Sequence, residues 1–226
     1  MKNYYLSLLL LLISTSIYAQ VAENKNLLDY ASSTVKDVSL LHEENFDGTP
    51  FYNEGWNLGT VTTTDNTDFN NVLLRFNTNN DQLWHMKNAE HMIVVDKQKV
   101  LFFEWKVDNV VTQFERCSIN GEQLYLEVIY LDENFQIYKK RDKILIKKGK
   151  NDNGNSQKDQ YIWSEFKLYQ RKEGQLVGIS SKEKQFFLIF GKLKGKIHKF
   201  AKSNKLKINK KEDLEEIFAH YYTLVH

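Results

Sequence analysis

Apolar and polar residues alternate in short runs between positions 55 and 107, and clusters of Asp and Asn separate the runs. β-Branched and aromatic side chains suit the pleated, half-buried surface of a strand, whereas Asp and Asn tolerate the backbone angles of turns. The pattern is typical of consecutive antiparallel strands. Across the whole chain it predicts about ten strands, at residues 57–64, 71–77, 82–87, 91–95, 99–107, 110–117, 123–131, 135–148, 161–170 and 175–179.

The connections between these runs are short. Asp108-Asn109 is a two-residue turn signal that predicts a hairpin, and a last hairpin is predicted around Glu173-Gly174. Parallel strands need long crossovers, so short connections favour antiparallel pairing. Residues 149–160 contain no apolar side chain and are predicted to be an exposed loop.

The period of the apolar residues changes after Ser180, from alternation to helical spacing. One apolar stripe follows the spacing i, i+3, i+4, i+7, i+8 and i+11, at Leu214, Ile217, Phe218, Tyr221, Tyr222 and Val225. We therefore predict an α+β protein. An antiparallel meander or partial barrel of about ten strands precedes a small C-terminal cluster of two or three helices, which should pack on the sheet.

The N-terminus has the pattern of a secretory signal. Lys2 precedes an apolar run at 6–13, and Ala19 supplies a small residue at the expected cleavage position. The run is well below the roughly 20 residues that span a bilayer, and it therefore predicts a cleaved signal peptide at 1–19. We expect no transmembrane span in the mature chain. The predicted division is a poorly structured leader at 20–47, a β domain at 48–181 and a helical segment at 182–226.

Charge is unevenly distributed, although the net charge of the chain is only +2. Residues 20–138 contain 8 basic and 19 acidic side chains, whereas residues 139–181 and residues 182–226 each contain 11 basic and 5 acidic ones, so the basic region is 139–226. The two regions could attract each other across an internal interface, the basic region could face an anionic envelope surface, or both could be ordinary solvated faces. Export argues against a nucleic-acid partner for the lysine-rich tail. The single cysteine, Cys117, cannot form an intramolecular disulfide.

The chain contains no G-x-S-x-G elbow, H-E-x-x-H motif, phosphate-binding glycine loop or EF-hand spacing. Carboxylates on neighbouring predicted strands are the catalytic candidates, because a glycosidase needs two of them close together. These candidates are Glu104, Glu115 and Glu127. Strand residues alternate between two faces, so the three need not converge.

Two further groups of residues could bind a ligand. His85 and His91 lie on successive predicted strands and could form a metal site with Asp81 or Glu90; otherwise they are exposed histidines beside turns. Large aromatic side chains could form a stacking platform for a sugar or peptide, or could fill the core. The candidates for the platform are Trp56, Trp84 and Trp105, with Trp163 as a further member. No cofactor is predicted.

Several blocks together resemble a family of exported, largely uncharacterised proteins of the Bacteroidota. The blocks are GTPF at 48–51, GTV at 59–61, LLRFNTNNDQLWHM at 73–86, KVLFFEW at 99–105, LYLEVIYLDENFQIYKK at 124–140 and KFAKSNKLKINKKEDLEEIFAHYY at 199–222. Gln20, directly after the predicted cleavage site, is similar to the start of exported proteins of that phylum. The resemblance implies export but no particular activity. The chain shows no C-terminal sorting domain of the kind used for surface secretion in that phylum, which favours the periplasm over the extracellular medium.

These observations predict an exported, non-enzymatic binding or interaction module of the bacterial envelope. An envelope protein or a glycan is the expected partner. The alternative is an envelope hydrolase that acts on glycan or peptide through the sheet carboxylates.

Overall fold

The computed structural model describes residues 26–36, 46–88, 91–132, 135–150 and 156–225. The predicted signal peptide at 1–19 lies outside these residues. The strands are β1 (Ser32–Lys36), β2 (Phe46–Asp47), β3 (Asn57–Thr63), β4 (Asp68–Asn77), β5 (Gln82–Asn88), β6 (His91–Val95), β7 (Val100–Val107), β8 (Val110–Ile119), β9 (Glu122–Leu131), β10 (Gln136–Lys140), β11 (Lys143–Ile146), β12 (Asp159–Trp163), β13 (Lys167–Lys172) and β14 (Gln175–Ile179). The helices are α1 (Leu27–Ala31), α2 (Glu183–Phe186), α3 (Lys194–Ser203) and α4 (Lys211–Val225), with 3-10 helices at Lys97–Lys99 and Phe187–Leu193.

Eleven of these strands form one antiparallel sheet in the order β1-β6-β5-β4-β3-β7-β8-β9-β10-β13-β14. Two meanders meet where β3 pairs with both β4 and β7. The order begins at β1 and ends at β14, so the sheet is open. With the C-terminal helices, this confirms the predicted α+β class.

The structure differs from the prediction in three places. Residues 27–36, within the expected leader, form α1 and the edge strand β1, which pairs with β6. The predicted strands 135–148 and 161–170 are each divided in two. The second part of the former (β11) and the first part of the latter (β12) do not belong to the main sheet. They form a small three-stranded sheet with β2. Hydrogen bonds to Ser164 connect the two points at which the strands divide. The Ser164 hydroxyl accepts a hydrogen bond from the Asp142 amide, and its carbonyl accepts one from Arg141 Nε.

Two-residue turns form the predicted hairpins. Both residues of Asp108-Asn109 and of Glu173-Gly174 have positive φ angles, between 48° and 77°. Positive φ at both central positions gives a turn whose twist matches that of the strands it joins. Asn120-Gly121 joins β8 to β9 in the same conformation. Local sequence therefore sets the register of these strand pairs.

The main sheet is strongly curled. Phe76 on β4 and Tyr125 on β9 are four strands apart in the sheet, which in a flat sheet would separate them by about 19 Å. Their ring centroids are only 5.8 Å apart. A bulge in β3 beside Gly59 bends the sheet between them, where a Cβ on Gly59 would lie 2.1 Å from the Glu104 carbonyl oxygen. We call the side that carries Phe76 and Tyr125 the inner face.

Asp81 connects the β4–β5 turn to β9 and β10 through hydrogen bonds of its carboxylate. It lies in the β4–β5 turn at a φ of 57° and is 7% exposed. Its carboxylate accepts from Lys97, from Lys140 Nζ at 3.1 Å and from the Tyr125 amide at 3.2 Å. Burial by itself lowers the pKa of Lys140, but the carboxylates of Asp81 and Asp142 outweigh it and the pKa is raised. Lys140 therefore stays charged.

The C-terminal helices cover the far part of the inner face. Leu214, Ile217 and Phe218 of α4 are fully buried. With side chains of the preceding helices, they pack against the apolar residues of β9, β10 and β13 in one cluster. The sheet members of this cluster are Ile129, Ile137 and Leu168, with Phe135 from the β9–β10 turn.

Replacing Asp81 with Asn should destabilise the fold strongly. Asn keeps the shape, the tolerance of positive φ and an acceptor for the Tyr125 amide, but it removes the carboxylate that pairs with Lys97 and leaves Lys140 with Asp142 alone. We expect the free energy of unfolding, measured in urea, to fall by about 3 kcal/mol. This is the low end for breaking a buried pair, because Lys97 keeps part of its surface in water and Lys140 keeps its pair with Asp142. The matched control is Asp108→Asn, at an exposed turn residue that also has positive φ. It should change stability by less than about 0.5 kcal/mol. Equal effects of the two substitutions would contradict this role for Asp81.

Candidate functional site

The three candidate carboxylates do not share one face of the sheet. Phe114 lies opposite Glu127, and the adjacent Glu115 lies opposite Leu126. Glu127 therefore points to the inner face and Glu115 to the outer face. Glu104 pairs with Gln113, two residues before Glu115, and so lies on the outer face as a diagonal neighbour of Glu115.

Glu115 is engaged by other side chains. One oxygen accepts from Arg171 Nη2 at 2.7 Å and the other from the Tyr138 hydroxyl at 2.8 Å. Burial and the Glu115 carboxylate raise the pKa of Tyr138, so its hydroxyl remains a donor. The same Arg171 nitrogen lies 3.3 Å from Cys117 Sγ. Burial raises the pKa of Cys117 to about 12, so the thiol is protonated at neutral pH and is a poor nucleophile.

Glu127 lies in a buried polar cluster on the inner face. Its oxygens are 3.2 Å from the Tyr52 hydroxyl, 3.6 Å from Lys139 Nζ and 4.0 Å from Lys211 Nζ. The adjoining cavity has a volume of about 10 Å³, which is room for about one water molecule. Tyr125 also lines this cavity, and its buried hydroxyl has no hydrogen-bond partner within the described part of the chain. A glycan or peptide does not fit there, so the arrangement cross-links the fold.

The candidate tryptophans pack inside the protein. Trp105 is 2% exposed and belongs to the main aromatic core. Trp84 is buried against Phe51, with ring centroids 5.6 Å apart, and half-buried Trp56 packs on the same small cluster. Trp163 is half-buried and contacts Tyr52. Trp84 and Trp56 thus share one cluster, Trp105 and Trp163 both contact Tyr52, and the four side chains do not form one exposed platform.

The structure places His85 in the core. Its side chain is 5% exposed and Nδ1 lies 3.0 Å from the Leu73 carbonyl oxygen. The sequence predicted that His85, if it binds no metal, is exposed beside a turn. Its burial contradicts that expectation. His91 lies at the start of β6, paired with Asn88. Among the described residues no group of three or more His, Cys, Asp or Glu side chains is placed to hold a metal ion.

His85 should make stability depend on pH. Burial lowers its pKa in the folded state, whereas the unfolded chain has an ordinary histidine pKa of about 6.5. The unfolded state therefore binds more protons near that pH, and stability falls as the pH drops through about 6.5. We expect the free energy of unfolding to decrease between about pH 7.5 and pH 5.5, and His85→Asn to flatten this dependence. An unchanged slope in the variant would contradict the assignment.

The most distinctive surface is formed by lysines of the C-terminal helices. Ten exposed lysines lie between residues 182 and 210, and from 184 to 211 the chain contains no Asp or Glu. We call them the lysine set: Lys182, Lys184, Lys192, Lys194, Lys196, Lys199, Lys202, Lys205, Lys207 and Lys210. Within the described ranges, no carboxylate forms an ion pair with any of them.

Helix packing determines where these lysines point. Ile197 and Ala201 of α3 are buried in the helical core. Lys196, Lys199 and Lys202 recur every three residues on the opposite side of the helix and are exposed. Lys211, the next lysine after the set, instead points inward, where its Nζ donates to the Val111 carbonyl at 2.8 Å and helps to hold α4 on the sheet.

An open groove lies among the lysines of α2 and α3. Its volume is about 320 Å³, and it is lined by Lys184, Phe187, Leu188, Lys194, Gly195 and His198. The Phe187 ring packs against the His198 ring at an interplanar angle of 35°, with centroids 4.6 Å apart. Our sequence reasoning missed this groove. The signal was the apolar run FFLIF at 186–190, because a short helical segment cannot turn five consecutive apolar side chains inward.

Comparison with family models, with curated proteins and with solved structures finds no match for this chain. None of the helices within the described ranges combines the length and the apolar character needed to cross a bilayer.

Proposed function

We propose that the protein is an exported, non-enzymatic binding module that attaches to an anionic surface of the bacterial envelope through the lysine set. The observation that carries the proposal is the row of exposed lysines, none of which is neutralised by a carboxylate in the described part of the chain. An exposed lysine near an anionic membrane contributes about 1 kcal/mol of attraction. Several such lysines on one surface are sufficient for reversible attachment.

The charge distribution supports attachment through the lysine set. Residues 20–138 contain 8 basic and 19 acidic side chains, so an anionic surface repels this region, whereas it attracts residues 139–226. Repulsion of the acidic region and attraction of the basic region orient the protein before contact. The attachment should weaken as salt increases, because exposed charges are screened.

The predicted signal peptide at 1–19 and the resemblance to exported proteins of the Bacteroidota support an envelope location, with the periplasm favoured. The arrangement of the carboxylates supports a binding role over hydrolysis. Glu115 and Glu127 are held by cationic partners on opposite faces, and the cavity beside Glu127 has room for about one water.

Reversing the charge of three lysines on α3 should abolish most of the attachment. We expect Lys196→Glu/Lys199→Glu/Lys202→Glu to lower the affinity for isolated envelope membranes more than about tenfold, since three lysines contribute about 3 kcal/mol. Co-sedimentation over a range of salt concentrations measures this. The matched control is Lys87→Glu/Lys147→Glu/Lys172→Glu, which changes the net charge equally at exposed positions outside the helices. Similar losses in both variants would show that net charge, and not the lysine set, causes binding.

A further inference from the structure

The groove beside the lysine set has the two features that an anionic amphiphile requires. Its apolar part consists of the Phe187 ring and the Leu188 side chain, and its polar rim consists of Lys184 and Lys194. Lysine places its aliphatic stem along apolar surface while its ammonium group stays in water. The groove can therefore contact methylene groups and a negative charge in the same ligand.

Leu188 distinguishes this groove from an ordinary surface depression. Phe186, Phe187 and Phe190 around it are buried, but Leu188 is 57% exposed. Single exposed leucines are common on soluble proteins. This leucine, however, projects beside an open groove within a stretch where the nearby exposed charges are mostly lysines. Apolar residues flanked by lysines are the pattern of segments that lie in a membrane interface.

The groove is open to a ligand chain. Gly195 lines it, and the position that a Cβ would take there has no atom within 4 Å. The Glu183 carboxylate lies beside the groove, 3.6 Å from His198 Nε2. Lys184 and Lys194 on the rim leave the local charge positive.

We propose that this groove binds the part of an acyl chain nearest the headgroup of an anionic phospholipid, while the Leu188 side chain inserts into the membrane interface. The inference rests on the proposed function, because the lysine set brings the protein to the surface. It specifies the partner as lipid: an acidic protein or a glycan supplies the negative charge but not the acyl chain.

The test uses the full mature chain and protein-free vesicles of phosphatidylcholine, with and without phosphatidylglycerol. Leu188→Asp should weaken binding to the phosphatidylglycerol vesicles by about tenfold or more, because it replaces an inserted apolar side chain with a repelled charge. Binding of this variant to dextran sulfate, a polyanion without acyl chains, should fall by about fivefold at most, the effect of one added negative charge, and so by less than the binding to vesicles. The matched control is Leu58→Asp, since Leu58 is 61% exposed on β3, and it should bind vesicles as the unmodified protein does.

A spin label gives a second readout that does not depend on a disruptive substitution. Leu188→Cys can be labelled selectively, because Cys117 is 3% exposed and its pKa is raised to about 12. On phosphatidylglycerol vesicles the label at position 188 should become less mobile and more accessible to oxygen than to a water-soluble relaxation agent. A label at Leu58→Cys should remain in water.

The outcomes separate the two proposals. If Leu188→Asp binds vesicles normally, or if the label at 188 stays in water on bound protein, the groove does not receive lipid although the lysine set still attaches the protein. If the variant with three reversed lysines binds both vesicles and envelope membranes normally, the proposed function itself is wrong. Binding to envelope membranes that is lost after protease treatment, without binding to protein-free vesicles, would overturn the lipid inference in favour of a protein partner.

Discussion

The curl of the main sheet is the constraint on which the rest of the structure depends. The inner face of this open sheet of eleven strands carries the two largest apolar clusters, and it is covered in two ways. In the first half the sheet bends until Phe76, Phe114 and Tyr125 from distant strands touch one another. In the second half the C-terminal helices supply the apolar cover. Without the bend and the helices, much of the apolar inner surface would be in water.

Buried charges lie where these two regions meet. Glu127 is next to Tyr125 of the aromatic core in the alternating pattern of β9 and next to Ile129 of the helical core. Its partners, Tyr52 and Lys211, come from the segment before β3 and from the first turn of α4. A buried ion pair adds little net stability, but losing one partner is costly. Such pairs therefore favour one relative placement of the sheet, the N-terminal segment and the last helix.

Local patterns predicted the strands and turns well because they depend on local physics. The two-residue turn at Asp108-Asn109 and the last helix are examples, since alternation, helical period and turn residues are visible within a few positions. The predicted stripe of that helix is buried at Leu214, Ile217 and Phe218, whereas its far end, at Tyr222 and Val225, is exposed. Pairings between distant segments were not predictable in this way. The joining of β1 to β6, and the departure of β11 and β12 into a small sheet, depend on contacts that no short window contains.

The candidate site residues divide in the same way. Glu115 and Glu127 lie on opposite faces because of the register of β8 against β9, which the two-residue turn at Asn120-Gly121 sets locally, so their separation could have been predicted from the sequence. His85 was expected beside a turn, but it is only 5% exposed. The alternation within β5 does not show which of its two faces the rest of the chain covers. The exposed Leu188 beside the groove could have been predicted from the sequence alone. Five consecutive apolar residues at 186–190 cannot all face the core from one short helical segment, whatever the rest of the chain does.

The unequal charge of the two halves has two physical explanations, and each applies to a different part of the chain. Lys140, Arg171 and Lys211 come from the basic half and pair with carboxylates of the acidic half, so part of the asymmetry is internal attraction that helps to close the fold. The same explanation does not extend to the lysine set. Those side chains are exposed, follow one another without intervening acidic residues from 184 onward, and form no ion pair with the carboxylates that the structure describes. Ten mutually repelling charges on a small helical cluster do not help folding. Their physical effect is directed outward, toward a surface of opposite charge.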